Sequence, residues 1–286
     1  MGVDTIILNG KLSESGVCIT PDNRSFRFGD GCFETMLALC GEVVFFDEHF
    51  NRINSTCDYL GIKLPFNRTE LAIAVRTLLD HFGFKEAALR LTVYRRGGGR
   101  YTPPTDESDW LLQAEKHQSN LPQLQRSRCG ILNDLKMPCH PIYNHKTNAR
   151  LLNVLAAQIC KQRKWDDALL MNQRDEYCET VSGNLYVVCR DLVYTPPLDS
   201  GCLDGVMRRR MAEVVGACDM NLVEQPIDHT AIAEADEIWS TNSLYGIKAF
   251  DNFDNRPLRT HRAECANIIL YGLMINSTRD FRETLP

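Results

Sequence analysis

Three observations predict an α/β fold. Strand-like and helix-like patterns alternate from the first residues onward. Turn residues punctuate the strand runs, as at Cys40–Gly41 between two stretches rich in β-branched and aromatic residues. The chain is also long, at 286 residues, so two domains or one large α/β unit are expected. The polar, aperiodic run "HQSNLPQLQRS" divides it into an N-terminal α/β domain at 1–116, a linker at 117–127 and a C-terminal α/β domain at 128–286.

Each element follows from its own pattern. "TIILNGKL" reads as a strand and turn, and "FETMLALCGEVVFF" as two strands. "DEHFNRINSTCDYLGI" reads as a helix with Asp47 as N-cap. Phe50, Ile53, Cys57 and Leu60 recur at helical spacing, and Gly61 stops it. "NRTELAIAVRTLLDHFGF" is a second helix, with Leu71, Ile73, Ala74, Leu78 and Leu79 as its apolar positions. "AALRLTVYRR" and "DWLLQAEK" are strands on either side of the glycine loop Gly97–Gly99. Beyond the linker "CGILNDLKM" is a strand. "TNARLLNVLAAQICKQRKW" is the clearest helix, with Leu151, Leu152, Leu155, Ile159 and Cys160 on one face. "DALLMNQ", "YCETVSGNLYVVCR" and "LVYTPP" read as strands, "LDGVMRRRMAEVVGAC" as a loop entering a helix, and "HTAIAEA" as a short helix. "DEIWSTNSLYGIKAF" reads as a strand leaving into a loop.

Composition narrows the function. The hydrophobic fraction of 44% and charged fraction of 24% are those of an ordinary globular protein. With a net charge of −5 and no long basic run, nucleic acid is not an expected partner; "RRR" at Arg208–Arg210 reads as one face of a helix. Twelve cysteines are scattered without a C-x-x-C pair, and the start "MGVDTIILNG" lacks the pattern of a signal peptide. They are expected to be reduced, small apolar residues in a cytoplasmic protein, with no zinc site. No apolar run reaches membrane-spanning length. "MGVDTI" departs from a myristoylation start because Ile6 replaces the required Ser or Thr.

Several residues are candidates for chemistry, each with a plainer reading beside it. Lys146, in "IYNHKTNARLL", is either a solvated charge or an amine at the positive end of a helix dipole, where the neutral form is favoured. A neutral amine suits condensation with an aldehyde. Glu179 is a strand-end carboxylate or the partner of a pyridinium nitrogen. Gly205, before a helix, and "STNS" at Ser240–Ser243 are turns or anion-binding loops. Arg52 is a surface arginine or the countercharge for a phosphate. The "GGGR" loop is a weaker phosphate signal, because no helix follows it.

Taken in order, "FGDGCFET", "DEHFNRI", "HKTNARLL", "ETVSGNLY", "YTPPLDSGCLDGVMRR" and "ADEIWSTNS" resemble the class IV aminotransferase family, across nearly the whole chain. The resemblance implies pyridoxal 5'-phosphate (PLP) as cofactor and a fold-type IV architecture. In that architecture a small N-terminal α/β domain joins a barrel-like C-terminal α/β domain, with the cofactor between them. It implies a homodimer acting on a small-molecule amino substrate. Lys146 is similar to the lysine that forms the Schiff base and moves protons. Glu179 is similar to the partner of the pyridine nitrogen, Arg52 to the phosphate-binding arginine, and Leu203 to the residue packed on the ring. Gly205, Val206 and Met207 match one phosphate loop; Val–Met replaces the usual hydroxyl-bearing pair, so contact there is expected through backbone. Thr241, Asn242 and Ser243 match the second phosphate loop.

Within the family, Thr35 in "FET" and the stretch "RRGGGRYTPP" resemble the aminodeoxychorismate lyases, in which a threonine at the matching position helps protonate the departing pyruvate carbon. The chain lacks the arginine–x–histidine pair with which D-amino-acid aminotransferases grip a carboxylate. The expected reaction is therefore conversion of 4-amino-4-deoxychorismate to 4-aminobenzoate and pyruvate. Branched-chain or D-amino-acid transamination is the alternative, and a non-catalytic protein binding a phosphorylated ligand is the remote one. Arg90, Arg96 and Arg100 are the candidates for holding a substrate carboxylate.

Overall fold

The computed structural model describes residues 5–13 and 19–284, so the start of the myristoylation-like stretch and Cys18 lie outside the described residues. The described chain divides into two units. One takes the residues up to Ser119, the short segment Lys146–Ala149 and the chain from Met274 onward. The other takes Asn120–His145 and Arg150–Leu273.

The first unit is a six-stranded antiparallel sheet. Its strands are β1 (Ile6–Leu8), β2 (Lys11–Ser13), β3 (Gly31–Leu39), β4 (Glu42–Val43), β5 (Ala87–Arg95) and β6 (Ser108–Lys116), in the order β2-β1-β6-β5-β3-β4. The expected turn after the first strand and the expected pair of strands around Cys40–Gly41 are both present, and each is a hairpin. Asn9–Gly10 and Cys40–Gly41 take positive φ at both turn positions, the geometry that matches the twist of the flanking strands. A short helix α1 (Arg24–Phe28) precedes β3. Two longer ones, α2 (Phe46–Leu60) and α3 (Arg68–Phe82), follow β4.

Gly61 and Gly83 end these helices in the left-handed conformation, and Asn67 with Glu70 forms a full capping box on α3. The N-cap of α2 is Phe45, itself left-handed at φ 50, and not Asp47; Asp47 sits in the first turn, where its charge still meets the helix dipole favourably. The buried stripe of α3 is Leu71, Ala72, Ala74, Val75, Leu78 and Leu79. Ile73 points outward, 44% exposed, because that stripe turns away from it. Burying each such leucine contributes roughly 1.5–3 kcal/mol.

The second unit is built on a nine-stranded mixed sheet: β7 (Gln125–Met137), β8 (Asp167–Asn172), β9 (Tyr177–Thr180), β10 (Asn184–Cys189), β11 (Leu192–Thr195), β12 (Asn221–Glu224), β13 (Glu237–Asn242), β14 (Gly246–Phe253) and β15 (Arg256–Pro257). Its order is β12-β11-β10-β13-β14-β7-β8-β9, with β15 on β14. The sheet curls, so that β9 returns beside β10 through the turn where the Thr180 N–H donates to the Gly183 carbonyl, giving a half-barrel. Helices α4 (Leu151–Arg163), α5 (Val206–Gly216), α6 (His229–Glu234) and α7 (His261–Thr284) complete the chain. The strand expected to leave into a loop at 237–250 is instead a hairpin: β13 turns over Ser243–Tyr245 straight into β14.

Helix α4 corrects the sequence reading twice. Its buried face is Ala156 and Cys160, while Leu151 and Leu155 are 69% and 40% exposed. It also starts at Leu151, well past Lys146. The residues around Lys146 are extended backbone, outside the reach of any first-turn dipole.

Candidate active site

Lys146 is positioned by β3. The segment Lys146–Asn148 runs antiparallel along the start of that strand. Phe33 N–H donates to the Lys146 carbonyl at 3.0 Å, Asn148 N–H donates to the Gly31 carbonyl at 2.9 Å, and Cys32 bridges Thr147. Gly31 is required here: a Cβ would stand 2.4 Å from the Val93 carbonyl and 2.7 Å from the Asn148 amide. The amine Nζ of Lys146 then lies 4.6 Å from the centre of the Phe33 ring, in cation–π range. The guanidinium of Arg90 lies 3.9 Å from the same ring centre. Thr35 stands directly across from Arg90 in the β3–β5 register. Side chains alternate along a strand, so Phe33 and Thr35 share one face and Glu34 takes the other.

On that other face Glu34 meets α2. Its two carboxylate oxygens accept from Arg52 Nε at 2.7 Å and Arg52 Nη2 at 2.6 Å, a two-pronged bond, and His49 Nδ1 lies 2.6 Å away. All three residues are buried. Burial pushes the Glu34 carboxyl up, but the charges of Arg52 and His49 outweigh it and hold the group at about 2. Burial also lowers the His49 pKa, with Arg52 and Lys146 adding to the effect against the pull of Glu34. The buried Nε2 of His49 has no partner among the described residues. The sequence reading named Arg52 and left out Glu34 and His49, the two buried residues that the structure sets against it. The signal was there: His49 and Arg52 are three apart on one helix face, and Glu34 stands beside Thr35.

The second unit carries the rest of the predicted set. Glu179 is buried on β9, and its Oε2 accepts the Leu203 N–H at 3.2 Å. The Leu203 carbonyl accepts from Asn184 Nδ2 at 2.7 Å, so the backbone of Leu203 is held on both sides. Asn144 fixes the approach to it by donating to the carbonyls of Leu198 and Cys202. Gly205 is the N-cap of α5. No side chain caps the helix, and a Cβ at Gly205 would fall 2.0 Å from Asn184 Oδ1. Val206 and Met207 are buried to 1% exposure, so toward an anion they offer only backbone N–H groups.

Thr241 is buried across from Asn184. The amide of Asn242 is committed to the turn: it donates to the Ser182 carbonyl and accepts from the N–H groups of Leu244 and Tyr245. The hydroxyl of Ser240 faces away, onto Thr180 and Tyr245. These groups, with Ser182, surround the buried pair Asp167–Lys248, whose atoms lie 3.3 Å apart. Since Thr180 and Ser240 directly adjoin Glu179 and Thr241, this network braces both from the reverse side of the sheet.

The glycine loop is no anion cradle. Arg24 donates to the carbonyls of Gly98, Arg100 and Tyr101, so the loop turns acceptors, not N–H groups, inward. Arg96 is engaged by Asp109 at 2.7 Å. Of the three arginines considered for a substrate carboxylate, Arg90 is the one that shares a ring with Lys146.

Residues 31–250 match the family described as "Amino-transferase class IV". The chain belongs to this family. Class IV aminotransferases comprise PLP-dependent transaminases and lyases, and relatives of both kinds are found. An aminodeoxychorismate lyase from Vibrio harveyi is 28% identical, over 79% of this chain and 83% of its own length. A D-alanine aminotransferase from Bacillus licheniformis is 24% identical, over 88% and 89%. Among solved structures, the branched-chain aminotransferase of Thermoproteus uzoniensis superposes with a TM-score of 0.85 at 22% identity, covering 96% of this chain and 97% of that one. A protein from Mycobacterium tuberculosis described as a hypothetical aminotransferase, in its PLP-bound form, gives 0.83 at 16%, covering 95% and 99%. The architecture is thus fold-type IV, as the sequence led us to expect.

The residues of this class IV aminotransferase fit the cofactor chemically. A buried carboxylate at Glu179 suits a protonated ring nitrogen, and the uncapped start of α5 suits a phosphate.

Proposed function

We propose that this chain is a 4-amino-4-deoxychorismate lyase, producing 4-aminobenzoate and pyruvate. The observation that carries this reading is Thr35: a hydroxyl on the face of β3 that also presents Phe33, the ring beneath the amine of Lys146. PLP, when bound, supplies an aldehyde that condenses with amines and a ring that accepts the electron pair left at the substrate's amine-bearing carbon. Lys146 takes the proton from that carbon. Glu179 keeps the pyridine nitrogen protonated. Arg52, with Gly205, Val206 and Met207 and with Thr241, Asn242 and Ser243, would hold the phosphate, and Leu203 would pack on the ring. Loss of the proton lets the substrate ring aromatise, which breaks its ether bond. Thr35 delivers a proton to the methylene carbon of the departing enolpyruvate, which becomes pyruvate. Arg90 holds a substrate carboxylate.

The Vibrio harveyi relative supports the lyase reading, and the D-alanine and branched-chain aminotransferases support transamination as the alternative. In that case Arg90 holds the carboxylate of an amino acid and Thr35 has no chemical role. The test supplies aminodeoxychorismate, generated in place, to the PLP-loaded protein, with D-alanine or L-leucine plus 2-oxoglutarate in parallel. Release of 4-aminobenzoate with negligible amino transfer is expected, and Thr35→Val should cut it about 10–100-fold at unchanged PLP content. Amino transfer without 4-aminobenzoate refutes the lyase.

The same reading includes a cytoplasmic homodimer. The described cysteines are free thiols, and no helix among the described residues is long and apolar enough to cross a membrane. Leu151, Val154 and Leu155 form an exposed apolar stripe on α4 that a second copy would cover.

A further inference from the structure

Two pairs of cysteines bring their sulfurs within 3.6 Å: Cys32 with Cys57, and Cys218 with Cys265. The distance is the same but the setting is not. Cys32 and Cys57 are sealed in the core, 1% and 0% exposed. Cys265, in the second turn of α7, is exposed, and Cys218, just past the C-cap Ala217 of α5, is partly so. The second pair opens on a pocket of ≈ 260 Å³ lined by Cys218, Met220, His261, Arg262 and Cys265. A small reagent can reach those sulfurs, and His261 and Arg262, the latter paired with Asp191, line the same pocket. A disulfide needs the sulfurs to close to about 2.05 Å, a shift that rotation of an exposed side chain such as Cys265 can provide.

We infer that Cys218 and Cys265 form a reversible disulfide site that reacts with small-molecule disulfides. The order of events follows from the geometry. The Cys218 thiol donates its hydrogen toward the Cys265 sulfur, and burial and that hydrogen bond push the Cys218 pKa up to about 12. Exposed Cys265 is therefore the sulfur that attacks first, as its thiolate. It bonds to one sulfur of the reagent RSSR and expels RS⁻, which takes up a proton. Cys218 then loses its proton and attacks the Cys265 sulfur, expelling the second RS⁻, also protonated to RSH. Two protein thiols are oxidised by two electrons and RSSR is reduced to two RSH. The bond joins residues 47 apart, so it constrains the unfolded chain and raises the melting midpoint by a few degrees. It ties the far end of α5 to α7 and leaves the first turn at Gly205 untouched.

The test incubates the PLP-loaded protein with oxidised glutathione and maps peptides by mass spectrometry without reduction. A Cys218–Cys265 linked peptide is expected, reversed by dithiothreitol, with Cys32 and Cys57 still thiols and PLP content unchanged. Cys218→Ser should stop at a glutathione adduct on Cys265, and Cys265→Ser should take up nothing at Cys218. A wild-type protein that halts at the mixed disulfide, forms no adduct, or cross-links Cys32 to Cys57 in preference overturns the proposal. So does an adduct on Cys218 in the Cys265→Ser variant.

Discussion

Replacing Glu34 by Gln removes the charge that Arg52 and His49 share while keeping the shape of the side chain. The carboxyl stands at about 2 in the fold against an ordinary glutamate value of 4.5, and the residue is 1% exposed, so solvent screening takes little away. A depression of that size corresponds to roughly 3 kcal/mol of stability. Because the folded pKa lies below the unfolded one, this contribution is complete above the unfolded pKa. It is lost as pH falls through the folded pKa. The expected difference between wild type and Glu34→Gln is about 3 kcal/mol at pH 7, shrinking to about 2 kcal/mol at pH 3.5. Urea unfolding of the two apo proteins at both values measures it, with the slope checked for constancy. A difference below about 1 kcal/mol at pH 7, or one that grows on acidification, would refute the assignment of Glu34 as the buried anion holding Arg52.

Lys146→Ala should lower turnover at least about 10³-fold, and the variant should lose the visible absorbance of covalently attached cofactor while still taking up PLP; spectra with and without borohydride decide this. Arg90→Gln should raise KM for carboxylate-bearing substrates about 10–100-fold, while an amine without the carboxylate reacts unchanged in a half-reaction monitored by absorbance. Leu155→Glu, on the exposed stripe of α4, should shift the protein to monomer in light scattering after size exclusion, with its far-UV circular dichroism preserved.

Most of the fold was legible because local chemistry and global packing agree. The Asn9–Gly10 and Cys40–Gly41 turns and the Gly61 stop are short-range signals, and each appears in the structure where the residues put it; the stripe Leu71–Leu79 does so except at Ile73. What was not legible depends on distant partners. The 24-residue α7 drew no assignment from the sequence; its polar positions interrupt the apolar pattern, and Ser277 and Thr278 are buried within it, their hydroxyls satisfied by the helix carbonyls behind them. Helix α4 misled for the converse reason. Its many leucines outnumber the positions that the unit can cover, so counting apolar residues overstates its buried face.

The candidate site divides along the same line. Lys146 was named from the order of the motifs, and the physical reason first given for it, a helix dipole, does not hold. A strand edge places the lysine, and Gly31 allows the approach. Nothing in "HKTN" says that this segment pairs with β3, because the pairing is set by backbone groups more than a hundred residues away. The same gap hid Glu34. A glutamate in a strand reads as solvent-facing until α2 is laid across it, and only then do Arg52 and His49 make it a buried anion. That arrangement matters to the proposed function, in which Arg52 holds the cofactor's phosphate. An arginine whose fork is gripped by a carboxylate on rigid secondary structure is oriented before any phosphate arrives, so binding need not supply the cost of ordering it. Glu34→Gln therefore should weaken PLP affinity by about 1 kcal/mol, less than it weakens the fold near neutral pH; an affinity that is unchanged or rises would mark a carboxylate that only neutralises charge.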